Sequence, residues 1–186
     1  MPDLRVQWLL RTAGLLSAEA RIGRRVAHNG SMPAAIPEEL KPLDHTAQNR
    51  CFGCGQANAS GLRLEFFLAG DGSVVSLPIV PDRFEGPRGF LHGGIVATLL
   101  DEAMSKSVRV KGFTAMTRHM EVEYLRPVPS GTPIRLEGRA VQSDGRKHRT
   151  EARILNAAGD ELAKAKGLFI EVRQRDTAGK PAPAEN

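Results

Sequence analysis

The sequence predicts an α+β domain: one long central helix wrapped by a curved antiparallel sheet of about six strands, preceded by an N-terminal helical extension. Three observations carry this reading. Residues 93–108 place apolar side chains at helical spacing, strand-like runs lie on both sides of that helix, and short turns rich in Gly, Asp and Ser separate the strands. One helix cannot cover both faces of such a sheet, so a second copy is expected to cover or extend the rest, as a homodimer or homotetramer.

In chain order, residues 1–30 set Val6, Leu9, Leu10, Ala13, Leu16 and Ala20 at helical spacing, with Arg5, Arg11, Arg21, Arg24 and Arg25 around them. This predicts a basic amphipathic helix resting on its own domain or on a partner subunit. Membrane contact and a mitochondrial presequence are the less favoured alternatives, and its apolar runs are too short for a secretory signal. MPAAIPEELKP, with prolines at 33, 37 and 42, reads as a linker. The expected divisions are an extension over 1–45, a folded domain over 46–175 and a disordered tail over 176–186, where GKPAPAEN has nothing to bury.

Within the domain, Leu62–Leu68 and Ser73–Val80 read as a hairpin joined by Ala69-Gly70-Asp71-Gly72. After the helix come strands over Thr114–Val128, Thr132–Val141, Lys147–Leu155 and Glu161–Val172. The turns between them, Pro129-Ser130-Gly131, Ser143-Asp144-Gly145 and Ala158-Gly159-Asp160, are short enough to predict antiparallel neighbours throughout.

Composition narrows the function classes. The net charge of +5 suits polyanionic partners, but aromatics are only 5% and no strand interleaves aromatic with basic residues, so nucleic acid is not an expected partner. Cys51 and Cys54, without a secretory signal, point to a reducing compartment: the cytoplasm, with the mitochondrial matrix as the alternative. Their spacing could hold a metal, but only His45 offers a third ligand nearby and no fourth is evident. The expectation is a glycine-rich turn with small buried thiols and no metal.

On the helix, Ile95, Val96, Ala97, Leu99, Leu100, Ala103, Met104 and Val108 form a broad apolar arc, so each carboxylate needs an explanation. Glu102 has Lys106 four residues on, the favourable order for an ion pair. Asp101 has no such partner and lies beside the apolar arc, where partial desolvation suits a general base. His92-Gly93-Gly94 opens the helix, where unpaired N–H groups attract an oxyanion or a polarised carbonyl. Strand alternation puts Thr117 with His119, Glu121 and Glu123, and Met116 with Met120, Val122 and Tyr124. The first set is compatible with a cleft or with plain solvent exposure.

FEGPRGFLHGGIVATLLDEA at 84–103, preceded by CFGCGQANASGLRL and followed by YLRPVPSGTPI and GRAV, resembles the hotdog-fold acyl-CoA thioesterases of the PaaI-like group, over roughly residues 48–172. The resemblance implies a helix lying in a curved sheet and active sites shared between two subunits. It implies that His92 and Gly94 hold the thioester oxygen, with Gly93 at the substrate. It further implies that Asp101 of the other subunit is base or nucleophile, that Thr117 sixteen residues on assists it, and that Glu102 is a reserve acid. Coenzyme A enters as part of the substrate, with no separate cofactor, and Arg146, Lys147 and Arg149, with Lys164 and Lys166, are the expected phosphate contacts. The expected activity is acyl-CoA thioester hydrolysis; the alternatives are a non-catalytic acyl-CoA-binding protein or an enoyl-CoA hydratase of the same fold.

Overall fold

The computed structural model describes residues 40–44 and 47–172, so the expected N-terminal helix, His45 and the expected disordered tail lie outside the described residues. The elements are β1 (Lys41–Pro42), β2 (Phe67–Leu68), β3 (Val74–Ser76), a 3-10 turn at Asp82–Phe84, α1 (Gly93–Arg109), β4 (Ala115–Tyr124), β5 (Arg135–Asp144), β6 (Lys147–Leu155) and β7 (Glu161–Glu171). The strands form one antiparallel sheet in the order β1-β2-β3-β5-β6-β7-β4, with α1 packed on one face. Among the described residues no helix is long and apolar enough to cross a membrane.

The apolar arc of α1 is the centre of the core. Leu99, Leu100, Ala103 and Met104 are fully enclosed and share one core with Leu136, Ile154, Ala163 and Phe169 from the sheet and with Ile134 just before β5. The helix rides directly on β5: a Cβ on Gly138 would sit 2.3 Å from the Ala103 carbonyl oxygen, so only glycine admits this approach.

Three expectations need correction. The sheet has seven strands, because Lys41–Pro42, within the expected linker, pairs with β2. Pro42 lacks an N–H and is accommodated because β1 is an edge strand. The first hairpin is much shorter than the apolar pattern suggests. Its leading half is used elsewhere: Leu62 N–H donates to the Phe52 carbonyl at 2.8 Å and Leu64 N–H to the Gly53 carbonyl at 2.9 Å, binding this segment to the cysteine turn.

Thirdly, β4 and β5 are not neighbours. The β5–β6 and β6–β7 pairs are hairpins as predicted, but β4 pairs with β7 at the far edge of the sheet. Pro127, Pro129 and Pro133 lie in the connection from β4 to β5, where missing N–H groups prevent a continued ladder. The chain crosses over instead, and β4 is left as a ten-residue edge.

Candidate active site

The loop before α1 is clasped to the crossover. Leu91 N–H donates to the Val128 carbonyl at 2.8 Å, Ser130 N–H to the Gly89 carbonyl at 3.1 Å, and His92 N–H to the Phe84 carbonyl at 3.0 Å. These bonds fix His92 as the extended N-cap of α1, with φ −60° and ψ 139°. Its ring Nδ1 accepts the Gly94 N–H at 3.0 Å, which in a neutral imidazole leaves the ring proton on Nε2.

Gly94, expected at the thioester oxygen, has its N–H engaged within the chain. That bond closes the cap, while the Gly93 N–H has no partner among the described residues. The donors left at this exposed helix start are therefore Gly93 N–H and His92 Nε2–H. Tyr124, at the end of β4, donates its hydroxyl to the Gly93 carbonyl at 3.2 Å and so ties the edge strand to the helix start.

Two turns further along α1, Asp101 is half-buried and meets β4. Thr117 Oγ1 donates to Asp101 Oδ1 at 2.7 Å. The other carboxylate oxygen, Oδ2, has no partner among the described residues and is the free acceptor of the site. Burial raises the proton affinity of Asp101, the Thr117 hydrogen bond opposes this, and the nearby Glu102 charge adds to it.

Thr117 reaches Asp101 because the strand is irregular. Thr117 pairs with Phe169 and His119 with Leu168, so Arg118 is an extra residue and the register shifts there. The bulge turns Thr117 to the helix-facing side, alongside Met120, Val122 and Tyr124, which pair with Gly167, Ala165 and Ala163. Met116 is correspondingly turned outward and is 61% exposed. The alternation read from the sequence, which grouped Thr117 with Glu121 and Glu123, fails at Arg118 for this reason.

Glu102 points elsewhere. Lys106 Nζ lies 3.9 Å from its Oε2, as the spacing predicts, but the pair is enclosed rather than on the surface. Cys51 Sγ donates to Glu102 Oε1 at 3.0 Å, and Lys106 Nζ donates to Cys54 Sγ at 2.9 Å. Both thiols are free, and the expected turn with a buried thiol is present. The links from each thiol to the helix were missed, because the sequence separation of 51 or 52 residues hides them.

The expected phosphate contacts do not gather around Asp101. On β6, His148, Thr150, Ala152 and Ile154 face the helix, so Lys147 and Arg149 project from the opposite face of the sheet. Arg146 donates through Nη2 to the Glu171 carbonyl at 2.7 Å. Lys164 pairs with Glu123 at 3.1 Å and Lys166 with Glu151 at 4.0 Å. A 730 Å³ cleft also opens on that outer face, lined by such ion pairs; none of Asp101, Thr117, His92 and Gly93 borders it.

Comparison with known proteins gives a family match over part of the chain. Residues 88–163, which hold the helix start, Asp101 and Thr117, match the family model described as thioesterase superfamily. The chain is 32% identical to the acyl-coenzyme A thioesterase THEM4 of Xenopus laevis over 89 residues, covering 47% of this chain and 40% of that one. Thus the chain spans less than half the length of that relative. It superposes on the crystal structure of protein RHA08564, a thioesterase superfamily protein, with TM-score 0.63 and 31% identity, covering 66% of this chain and 60% of that one. The E. coli PaaI protein from the phenylacetic acid degradation operon shares the fold, with TM-score 0.57 and 19% identity over 63% of this chain and 85% of that one. From the helix start to the beginning of β7 the chain thus matches the thioesterase superfamily model, as the resemblance implied, and its fold is shared with PaaI.

Proposed function

We propose that this chain is a member of the thioesterase superfamily that hydrolyses acyl-CoA thioesters to a free acid and CoA, with Asp101 as general base or nucleophile. The observation that carries the reading is the Asp101–Thr117 pair: a half-buried carboxylate with raised proton affinity, held through one oxygen at 2.7 Å and open at the other. The likeness to an acyl-coenzyme A thioesterase supports the choice of substrate.

Asp101 and the helix-start donors cannot act on one carbonyl within one chain. Eight residues of α-helix separate Gly93 from Asp101, about 12 Å of rise, whereas base and oxyanion donors must each lie within about 3 Å of the reacting group. The site is therefore composite. Gly93 N–H and His92 Nε2–H of one subunit polarise the thioester carbonyl, and Asp101 of the second activates water or attacks directly. Thr117 orients the acid. The free ten-residue edge of β4, with Met116 and Tyr124 exposed along it, supports pairing with a second copy beside the site. That pairing fits the homodimer expected from the architecture. Lys147 and Arg149, placed on the far face, and Arg146, in the β5–β6 turn, reach CoA phosphates only if the substrate is bound across such an assembly.

Purified protein should release free thiol from acyl-CoAs, and Asp101→Asn should remove most of that turnover. Wild-type rates in this variant would end the proposal. A protein that binds CoA and releases no thiol would instead be a binding protein, and loss of the conjugated absorbance of an enoyl-CoA would mark a hydratase. Single-turnover hydrolysis in labelled water separates base from nucleophile, since label appears in the aspartate only through an anhydride.

A further inference from the structure

The Cys51–Cys54 turn and the side of α1 away from Asp101 form a second polar cluster that the thioesterase chemistry does not use. We propose that Cys51, Cys54 and Glu102 are a binding site for a thiophilic divalent cation of the zinc class. The sulfur atoms of the two cysteines and a carboxylate oxygen of Glu102 lie within 4.8 Å of one another, a spread that small side-chain rotations close to tetrahedral contact.

The backbone is shaped for this convergence. The turn is closed by Gly55 N–H donating to the Cys51 carbonyl at 2.9 Å, which brings both thiols to one side. Asn49 supports it, its Oδ1 accepting the Cys51 N–H at 2.9 Å while its Nδ2 lies 3.5 Å from Cys54 Sγ. The carboxylate is pressed into the turn: a Cβ on Gly53 would lie 2.3 Å from Glu102 Cγ. From spacing alone the motif offered two donors, and the fold adds the third from the helix.

Lys106 fits the site as its counter-charge. With both thiols protonated, the Glu102 carboxylate and the Lys106 ammonium cancel. Entry of one divalent cation expels the two thiol protons to solvent, and two thiolates, one carboxylate, the ammonium and the cation again sum to zero. The 2.9 Å contact from Lys106 Nζ to Cys54 Sγ then becomes a charge-assisted bond to a coordinated thiolate. Burial pushes the Cys54 thiol up to about 11, and a bound metal ion overcomes such a proton affinity by direct coordination. Three protein donors leave a fourth position for water.

The test uses the full chain, kept reduced with a non-chelating phosphine and titrated with Co²⁺. One Co²⁺ per chain should bind with a thiolate-to-metal charge-transfer band, Zn²⁺ should displace it, and Zn²⁺ should protect both cysteines from a thiol reagent. Glu102→Gln and Cys51→Ser should each weaken Co²⁺ binding at least tenfold, while Asp101→Asn should not. Circular dichroism melting confirms that each variant is folded, and Glu102→Gln, which keeps the shape of the side chain, decides the matter should Cys51→Ser unfold. Absence of the band in fully reduced wild-type protein, or a band that Glu102→Gln and Cys51→Ser leave unchanged, overturns the proposal.

Discussion

Asp101 and Glu102 are consecutive carboxylates on one helix, about 100° apart around its axis, and they inhabit opposite surroundings. Asp101 leans on the edge strand β4, with one hydroxyl partner and one open oxygen. Glu102 faces the cysteine turn, where a thiol and a lysine engage both of its oxygens. Chemical type is shared, so the difference is made by what the neighbouring elements bring. The largest expected effect tests this division directly. Asp101→Asn should lower kcat for acyl-CoA hydrolysis by about 10²–10⁴-fold, the range for loss of a positioned general base, without lowering the melting temperature.

The Glu102 side of the helix should behave in reverse. Lys106→Met leaves Glu102 without its cationic partner in an enclosed pocket, and breaking a buried pair in this way costs about 3–5 kcal/mol of stability. Denaturant unfolding should show that loss. The folded fraction should retain far more turnover than Asp101→Asn does. Equal losses of kcat in the two variants would erase the distinction between a catalytic and a structural acid.

A smaller change sharpens the Asp101 side. Thr117→Val removes the bond that favours the ionised carboxylate, leaving burial and the Glu102 charge, both of which favour the proton. The working form is the carboxylate, so the acid limb of kcat/KM should already lie above the ordinary aspartate value of 3.8 and should move higher still in Thr117→Val, with turnover down about tenfold. The linkage to stability has the matching sign. Native protein binds this proton more tightly than the unfolded chain, so ionising Asp101 costs stability as pH rises through its raised range, and Asp101→Asn removes that cost at neutral pH. A pH–rate profile of the two proteins checks the first shift, and melting temperature against pH checks the second.

What was legible in the sequence follows the range of the interactions. The helix, the strands after it and the Glu102–Lys106 pair depend on spacings of a few residues, and all are present. The position of β4 was not legible, because antiparallel adjacency was inferred from short turns while the three prolines send the chain across the sheet. The face of Thr117 was misread for a local reason of a different kind: one bulged residue, Arg118, inverts a period-two pattern without a glycine or proline to announce it. That error did not reach the Asp101–Thr117 pairing, which came from family resemblance and is met by the 2.7 Å bond. The thiol links to Glu102 and Lys106 join segments about fifty residues apart, beyond any periodicity argument.

The smallest expected effect concerns the tie between the two ends of the candidate machinery. Tyr124 is 56% exposed, so its hydroxyl competes with water for the Gly93 carbonyl, which the helix also uses internally. Tyr124→Phe should therefore cost no more than about 0.5 kcal/mol in stability, at the low end for a neutral hydrogen bond. Its ring packs 3.7 Å from where a Cβ on Gly93 would lie and is retained in phenylalanine, so the helix start keeps its shape. If the hydroxyl only steadies Gly93, the change should appear as a KM increase of twofold or less with kcat intact. A fall in kcat approaching that of Thr117→Val would instead make Tyr124 a positioning residue for the helix-start donors, and the contrast between the two acids would then extend along the whole helix-facing side of β4.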